Sequence, residues 1–177
     1  MRKLNKIFLG LAILAVVSSG CESVLDVESD KLISTDEHQL NSPNDTLYSM
    51  IGIFSRLEKL GVPYVLLGEL RGDLMDVTSN ANPDLQEIYN HEVSPGNKYN
   101  KIEDYYAVIN NCNYLINHID TSLLIKDEKV MYKEYAAAKS VRAWTYMQLA
   151  LNYGNVKYFE HPILNIQEAD DYTEYTL

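Results

Sequence analysis

Apolar and small residues recur every three or four positions between Tyr132 and Asn155, and no Pro or Gly interrupts Val130 to Tyr153. This spacing predicts a long α-helix that ends at Gly154, because Gly adopts the left-handed conformation after a helix without steric cost. Two adjacent apolar stripes predict that the helix is mostly buried and forms the core. The stripes are Ala136, Ser140, Ala143, Met147 and Ala150, and Ala137, Val141, Trp144 and Leu151.

A second helix is predicted over residues 101–120, and together the two helices predict an antiparallel hairpin. Its apolar positions follow the same rhythm: Ile102, Tyr105, Tyr106, Ile109, Cys112, Leu115, Ile116 and Ile119. Four Asn residues in this segment are poor helix formers, so tertiary contacts must hold the helix. Cys112 falls on the apolar face, which indicates a small buried residue rather than a nucleophile.

A third helix is predicted to begin at Ser42-Pro43, with Ser as the N-cap and Pro in the first turn. Gly61-Val62-Pro63 is expected to end it, and the apolar run 64–67 fits either a strand or a loop. Its predicted apolar face consists of Leu47, Met50, Ile51, Phe54 and Leu57.

Asn, Asp, Gly and Pro dominate residues 68–100, and no apolar periodicity persists there. The composition predicts a long irregular loop, and such loops are usually functional or disordered. The carboxylates of Asp73 and Asp76 suit acid–base chemistry or a calcium site, but their spacing is not diagnostic and a solvated loop is the favoured interpretation.

The N-terminus has the features of an export signal over residues 1–20: basic residues, an apolar run from Ile7 to Val17, and then Ser18-Ser19-Gly20. Small residues directly before Cys21 resemble the bacterial lipobox, so we expect acylation of Cys21 and anchoring in outer-membrane lipid. An ordinary secretory signal with a chance Cys is the alternative. Residues 21–40 are then a polar, lipidated tether, and residues 41–177 are the helical domain.

The chain has a formal net charge of −10, which argues against nucleic acid as a partner because phosphate would be repelled. Its 14 Tyr residues suit a carbohydrate-facing surface and equally suit a partly exposed helical core. The sequence contains no Ser/His/Asp order, metal-ligand cluster or Gly-rich phosphate loop, so no catalytic residue, metal or cofactor is predicted.

Several of these segments resemble SusD/RagB-type outer-membrane nutrient-binding lipoproteins. The family's central helix is similar to two consecutive segments of this chain: Arg142-Ala143-Trp144-Thr145-Tyr146-Met147-Gln148-Leu149 and Asn152-Tyr153-Gly154-Asn155-Val156. Three further segments are similar to other parts of the family's N-terminal region: residues 101–120, the acidic pair Glu69 and Asp73, and the segment from Cys21 to Asp26. The chain departs from the family after Val156, where Lys157-Tyr158 stands in place of Pro-Leu.

The resemblance implies an all-α fold of tetratricopeptide-like helical hairpins with long loops, corresponding to the N-terminal part of a longer protein. A single hairpin cannot bury both of its faces, so we expect an exposed apolar surface on this apparently truncated chain.

The resemblance also implies a non-enzymatic surface lipoprotein that captures oligosaccharide or another nutrient for a TonB-dependent SusC-like transporter. Side chains suited to sugar binding lie in the 68–100 segment: Arg71, Asp73, Asn80, Asn82 and Tyr89. Two alternatives remain open, a tetratricopeptide-like envelope scaffold without a small ligand and an acid–base glycoside hydrolase.

Overall fold

The computed structural model describes residues 40, 42–120 and 130–175. The predicted signal peptide, Cys21 and all but the last residue of the predicted tether lie outside this part of the chain. The described residues are mostly helical, which confirms the all-α expectation, and they include one two-stranded sheet. The helices are α1 (Pro43–Leu57), α2 (Gly61–Val65), α3 (Pro83–Tyr89), α4 (Ile102–His118) and α5 (Val130–Tyr153). The strands are β1 (Val156–Tyr158) and β2 (Thr173–Tyr175).

Helices α4 and α5 pack against each other in antiparallel orientation, and α1 packs against both. Two contacts show this orientation. Tyr105 near the start of α4 packs against Tyr153 at the end of α5, with ring centroids 5.8 Å apart. Asn113 meets Arg142 near the middle of both helices. Helix α4 supplies much of the core between these helices, through Tyr105, Val108, Ile109, Cys112, Asn113 and Leu115.

The buried side of α5 differs from the predicted one. Ala136, Ser140, Ala143 and Met147 of the first predicted stripe are exposed, and Leu151 of the second stripe is 65% exposed. The buried positions in the described part of this helix are Met131, Ala138, Thr145, Gln148 and Leu149. Thr145 can face the interior because its hydroxyl donates to the carbonyl of Val141 at 2.8 Å. Ala137, Val141 and Trp144 of the second stripe are half-buried and pack against the core, so the predicted inward face is correct in part, but the prediction that the helix is mostly buried is wrong.

The face of α1 also differs from the prediction, although its start is confirmed. The Ser42 hydroxyl accepts a hydrogen bond from the amide of Asp45 at 3.2 Å and so caps the helix. Met50 is buried as predicted, but the other inward residues are Thr46 and Ile53. Leu47, Ile51 and Phe54, which were predicted to face inward, are exposed.

The chain after α1 stays helical instead of ending at Gly61-Val62-Pro63. A 3-10 turn (Glu58–Leu60) leads into α2, and a π-helix (Leu66–Leu70) follows. Pro63 is tolerated because it lies in the first turn of α2, where its missing N–H has no intrahelical acceptor. The expectation of a strand or loop over residues 64–67 is wrong.

Residues 68–100 are more ordered than the predicted irregular loop. They contain the end of the π-helix and the whole of α3, and they surround a small second core. Leu67, Leu70 and Ile88 are buried in this core.

A row of Asn side chains on α4 holds the segment after β1. Asn113 donates to the carbonyls of Phe159 (2.8 Å) and His161 (3.1 Å), and Asn110 exchanges two hydrogen bonds with the backbone of Ile163. The predicted need for tertiary contacts in this helix is thus met by amide bonds as well as apolar packing.

Each of the two ends of the described chain forms backbone hydrogen bonds with another segment. Strand β1 pairs antiparallel with β2, with Val156 opposite Tyr175 and Tyr158 opposite Thr173. Leu40 is buried and bonds the end of α4, donating its amide to the carbonyl of His118 at 2.8 Å.

Candidate ligand-binding site

A tight turn follows the π-helix and directs Asp73 toward the surface. The backbone at Gly72 passes so close to Gly68 that an added Cβ would lie 2.6 Å from the Gly68 carbonyl oxygen. Asp73 has a φ of 61°, a left-handed conformation that non-glycine residues rarely adopt. Strained residues and π-helical turns both cluster at functional sites, so this turn is a candidate position for ligand contact.

Helix α3 positions the second part of the site. The Asn82 side chain accepts a hydrogen bond from the amide of Leu85 at 3.1 Å, and Pro83 occupies the first turn. These are the standard features of a helix start. Ile88 is fully buried in the small core, and the next residue, Tyr89, is 36% exposed. One residue along a helix rotates the side chain by about 100°, which brings the Tyr89 ring out to the surface.

A polar cluster joins α3 to the turn that follows it. The Glu87 carboxylate accepts hydrogen bonds from the amide of Ser94 (3.1 Å), its hydroxyl (2.9 Å) and the amide side chain of Asn97 (3.0 Å). The bond from Asn97, and then those from Ser94, hold the pKa of Glu87 below its ordinary value. Asn97 is buried and also donates to the carbonyl of Asp84, so the cluster fixes α3 against residues 94–97.

Two shallow depressions meet at Tyr89. One, of about 380 Å³, is lined by Asp73, Leu74, Met75, Asp76 and Tyr89. The other, of about 280 Å³, is lined by Val77, Thr78, Ser79, Gln86, Tyr89 and Asn90. The Tyr89 ring therefore lies between a side with carboxylates and a side with hydroxyls and amides.

The groups around Tyr89 suit a neutral hydroxylated ligand. An aromatic face packs against C–H surfaces, and carboxylate and amide oxygens accept hydrogen bonds from hydroxyl groups. The Asp73 carboxylate accepts no hydrogen bond from any described residue. One carboxylate oxygen of Asp76 accepts a hydrogen bond from the amide of Val77 at 2.7 Å, and the other oxygen accepts none from a described residue.

The structure brings together two of the five predicted binding residues, Asp73 and Tyr89. Arg71 instead donates to the side chain of Asn152 at 2.6 Å and lines a separate pocket near the end of α5. Asn82 caps α3, and Asn80 is exposed in the turn before it and lines neither depression.

Sequence reasoning did not single out Thr78, Ser79, Gln86 and Asn90 as lining residues. A signal for two of them was present, because Asn82-Pro83 is a helix start and places Gln86, Tyr89 and Asn90 at helical spacing on one face. Thr78 and Ser79 lie in an irregular segment, where periodicity gives no information.

The rest of the described chain offers little for covalent or metal chemistry. Burial raises the pKa of the Cys112 thiol to about 12, as expected of a buried residue. Within the described residues, no three His, Cys, Asp or Glu side chains group so as to hold a metal ion. None of the helices described is both long enough and apolar enough to cross a membrane.

Comparison with curated proteins found a similarity to SusD-like protein P38 of Formosa agariphila. The two are 28% identical over 165 residues, which cover 90% of this chain and 31% of that protein. The comparison supports a SusD-like relationship. This chain thus spans about a third of the length of the relative it matches. No family model matches the chain, and no solved structure matches it.

Proposed function

We propose that this chain is the N-terminal part of a SusD-like binding protein that captures oligosaccharide or another nutrient and catalyses no reaction. The observation that carries the proposal is the similarity to a SusD-like protein over 90% of the chain. The second support is the site around Tyr89, where an aromatic ring stands beside carboxylate, amide and hydroxyl groups. These groups recognise hydroxylated rings without needing an activated nucleophile.

The finer parts of the proposal rest on the resemblance of the sequence to the SusD/RagB family. We infer a lipid anchor at Cys21, a position at the outer surface of the outer membrane and a TonB-dependent SusC-like transporter as partner. The antiparallel pairing of α4 and α5 is compatible with a tetratricopeptide-like hairpin, and we propose that arrangement for the domain.

Ligand binding is tested by titrating the purified full chain with neutral, basic and acidic oligosaccharides in a calorimeter. Tyr89→Ala should weaken binding of a recognised glycan by about tenfold, because aromatic anchors dominate such contacts. Tyr132→Ala is the matched control, since Tyr132 is 44% exposed on α5 and lines no cavity described above.

Equal affinities for the two Tyr variants would contradict the role of Tyr89. Absence of binding to every glycan would favour the scaffold alternative, and release of reducing ends during the titration would favour a glycosidase.

The anchor is tested separately, by feeding cells a clickable fatty acid and comparing the wild-type chain with Cys21→Ala. We expect label on the wild type alone. Equal labelling of both chains would exclude Cys21 as the acylated residue.

A further inference from the structure

A cavity of about 640 Å³ lies beside the β1–β2 hairpin, away from the depressions at Tyr89. Its size falls within the range of about 300–1,000 Å³ that is usual for small-molecule sites. Aromatic rings form part of its wall, and acidic side chains form another part. The lining residues that matter below are Tyr158, Tyr172, Tyr175, Glu160, His161 and Asp171.

The two carboxylates of Glu160 and Asp171 are available to a ligand. Neither accepts a hydrogen bond or ion pair from any described residue, and both side chains are exposed. Glu168 also lines the cavity, but its carboxylate is already used, since one oxygen accepts from the amide of Leu164 and the other from the side chain of Asn165, both at 2.6 Å. The free carboxylates are therefore acceptors, whereas the Tyr and Thr hydroxyl groups of the lining can donate as well as accept.

His161 adds another acceptor, and its tautomer follows from its neighbour. The Asn117 NH₂ group donates to the carbonyls of Asn113 (2.8 Å) and Glu160 (3.4 Å). The Asn117 side-chain oxygen lies 3.0 Å from Nδ1 of His161 and can only accept, so Nδ1 carries the proton. In the neutral ring, Nε2 then has a free lone pair.

The aromatic wall already holds a cation. The ammonium group of Lys157 lies over the Tyr172 ring, 4.1 Å from its centroid, and Lys157 is not among the residues that line the cavity. Tyr158 and Tyr175 meet edge to face at 5.9 Å, and Tyr172 packs on Phe159 at 5.8 Å. Rings held by such contacts present fixed surfaces for stacking or for a positive charge.

We propose that this cavity is a second glycan-binding site, which selects sugar units carrying hydroxyl or ammonium donors and rejects acidic units. The proposal rests on the proposed function in taking the ligand to be a sugar. Donor-rich groups satisfy the free carboxylates and the imidazole, whereas a uronate would bring a like charge to Glu160 and Asp171. The net charge of −10 on the chain adds to that discrimination.

The test is calorimetric titration of the purified full chain with three hexamers: fully deacetylated glucosamine, neutral glucose and galacturonate. We expect the glucosamine hexamer to bind most tightly and the galacturonate hexamer to show no heat of binding. The variant Glu160→Gln/Asp171→Asn keeps the shape of both side chains and removes their charge. It should weaken glucosamine binding by about tenfold or more, since bonds to charged groups are the strong ones.

Two further variants identify the site. Tyr172→Ala should also weaken binding, whereas Asp170→Asn should leave it unchanged, because Asp170 is exposed beside the cavity and does not line it. Adding salt should weaken the glucosamine titration more than the glucose titration.

The results separate this inference from the proposed function. Glycan binding that is lost in Tyr89→Ala and unchanged in the cavity variants would overturn the second site alone. Binding lost only in the cavity variants would support it and contradict the role of Tyr89. Tight binding of the galacturonate hexamer would overturn the proposed selectivity. A chain that binds none of the three hexamers would overturn the second site, whereas the proposed function would be contradicted only by absence of binding to every glycan in the wider titration.

Discussion

Replacing Asn113 by Ala tests whether a buried amide on α4 holds the segment that follows β1. Asn113 is fully buried, and its side chain makes three hydrogen bonds. Its NH₂ group donates to the carbonyls of Phe159 and His161 at 2.8 and 3.1 Å. Its oxygen accepts from the Arg142 guanidinium at 2.7 Å. Alanine removes all three bonds, and the Phe159 carbonyl is left with a longer bond of 3.4 Å from the Tyr146 hydroxyl.

The magnitude follows from the type of each bond. A neutral hydrogen bond contributes about 0.5–1.5 kcal/mol and one to a charged group about 1.5–3 kcal/mol, so the two neutral bonds and the one charged bond together reach about 2.5–6 kcal/mol. Arg142 is only half-buried and can regain some water, which favours the lower end, about 3 kcal/mol. That is a large share of the roughly 5–15 kcal/mol of a typical domain.

Urea unfolding of the purified chain, followed by the fluorescence of Trp144, measures this loss. With a slope of about 1–3 kcal/mol per molar urea, the midpoint should fall by about 1–3 M. The control is Asn111→Ala, two residues earlier on the same helix. Asn111 makes no side-chain hydrogen bond with a described residue, so its midpoint should stay the same or rise slightly because Ala is the better helix former. Equal midpoints for the two variants would refute the structural role of Asn113.

Three other predictions concern the turn, the polar cluster and the buried thiol. Gly72→Ala should destabilise the chain by about 1–3 kcal/mol in urea unfolding, because the new Cβ would lie 2.6 Å from a backbone carbonyl oxygen. Gly52→Ala is the control: its Cβ would contact nothing, so the variant should be more stable than the wild type. The hydrogen bond from Asn97 is the main cause that lowers the pKa of Glu87 in the folded chain, so the ionised carboxylate stabilises the fold above pH 4.5 and this stabilisation is lost as the pH falls below that value. The difference in melting temperature between wild type and Glu87→Gln should therefore shrink from pH 7 to pH 3. A difference that stays constant over this range would contradict the prediction. Cys112, with a pKa of about 12, should resist iodoacetamide at neutral pH until urea unfolds the chain, as followed by mass spectrometry.

The start of α1 and the end of α5 were predictable from the sequence, because both depend on local chemistry, whereas the end of α1 was not. Ser42 caps α1 through its hydroxyl, as the sequence indicates. Gly154 follows α5 with a φ of 78°, and its amide bonds the carbonyl of Ala150. Each of these features involves residues within four positions of one another, so a single sequence contains the information.

Inward faces were less predictable, because small polar residues can be buried once their hydrogen bonds are made locally. Thr46 is buried in α1 and donates to the carbonyl of Pro43 at 3.0 Å, and Thr145 does the same in α5 with Val141. A pattern that counts only apolar residues assigns both to the surface and rotates the predicted face away from the true one. The displaced apolar residues, such as Ile51 and Leu151, are then exposed.

The same reasoning limits what composition can say about the candidate site. Arg71, Asp73 and Asn82 have equally suitable chemistry for sugar binding, but hydrogen bonds within the chain distinguish them. Asn82 is used by the start of α3, which the following Pro83 makes recognisable in the sequence. Arg71 is used by Asn152, 81 residues later, and no local pattern indicates that contact. A polar side chain becomes a stronger candidate for ligand binding when the fold leaves it unused, and among these three that condition holds for Asp73 within the described chain.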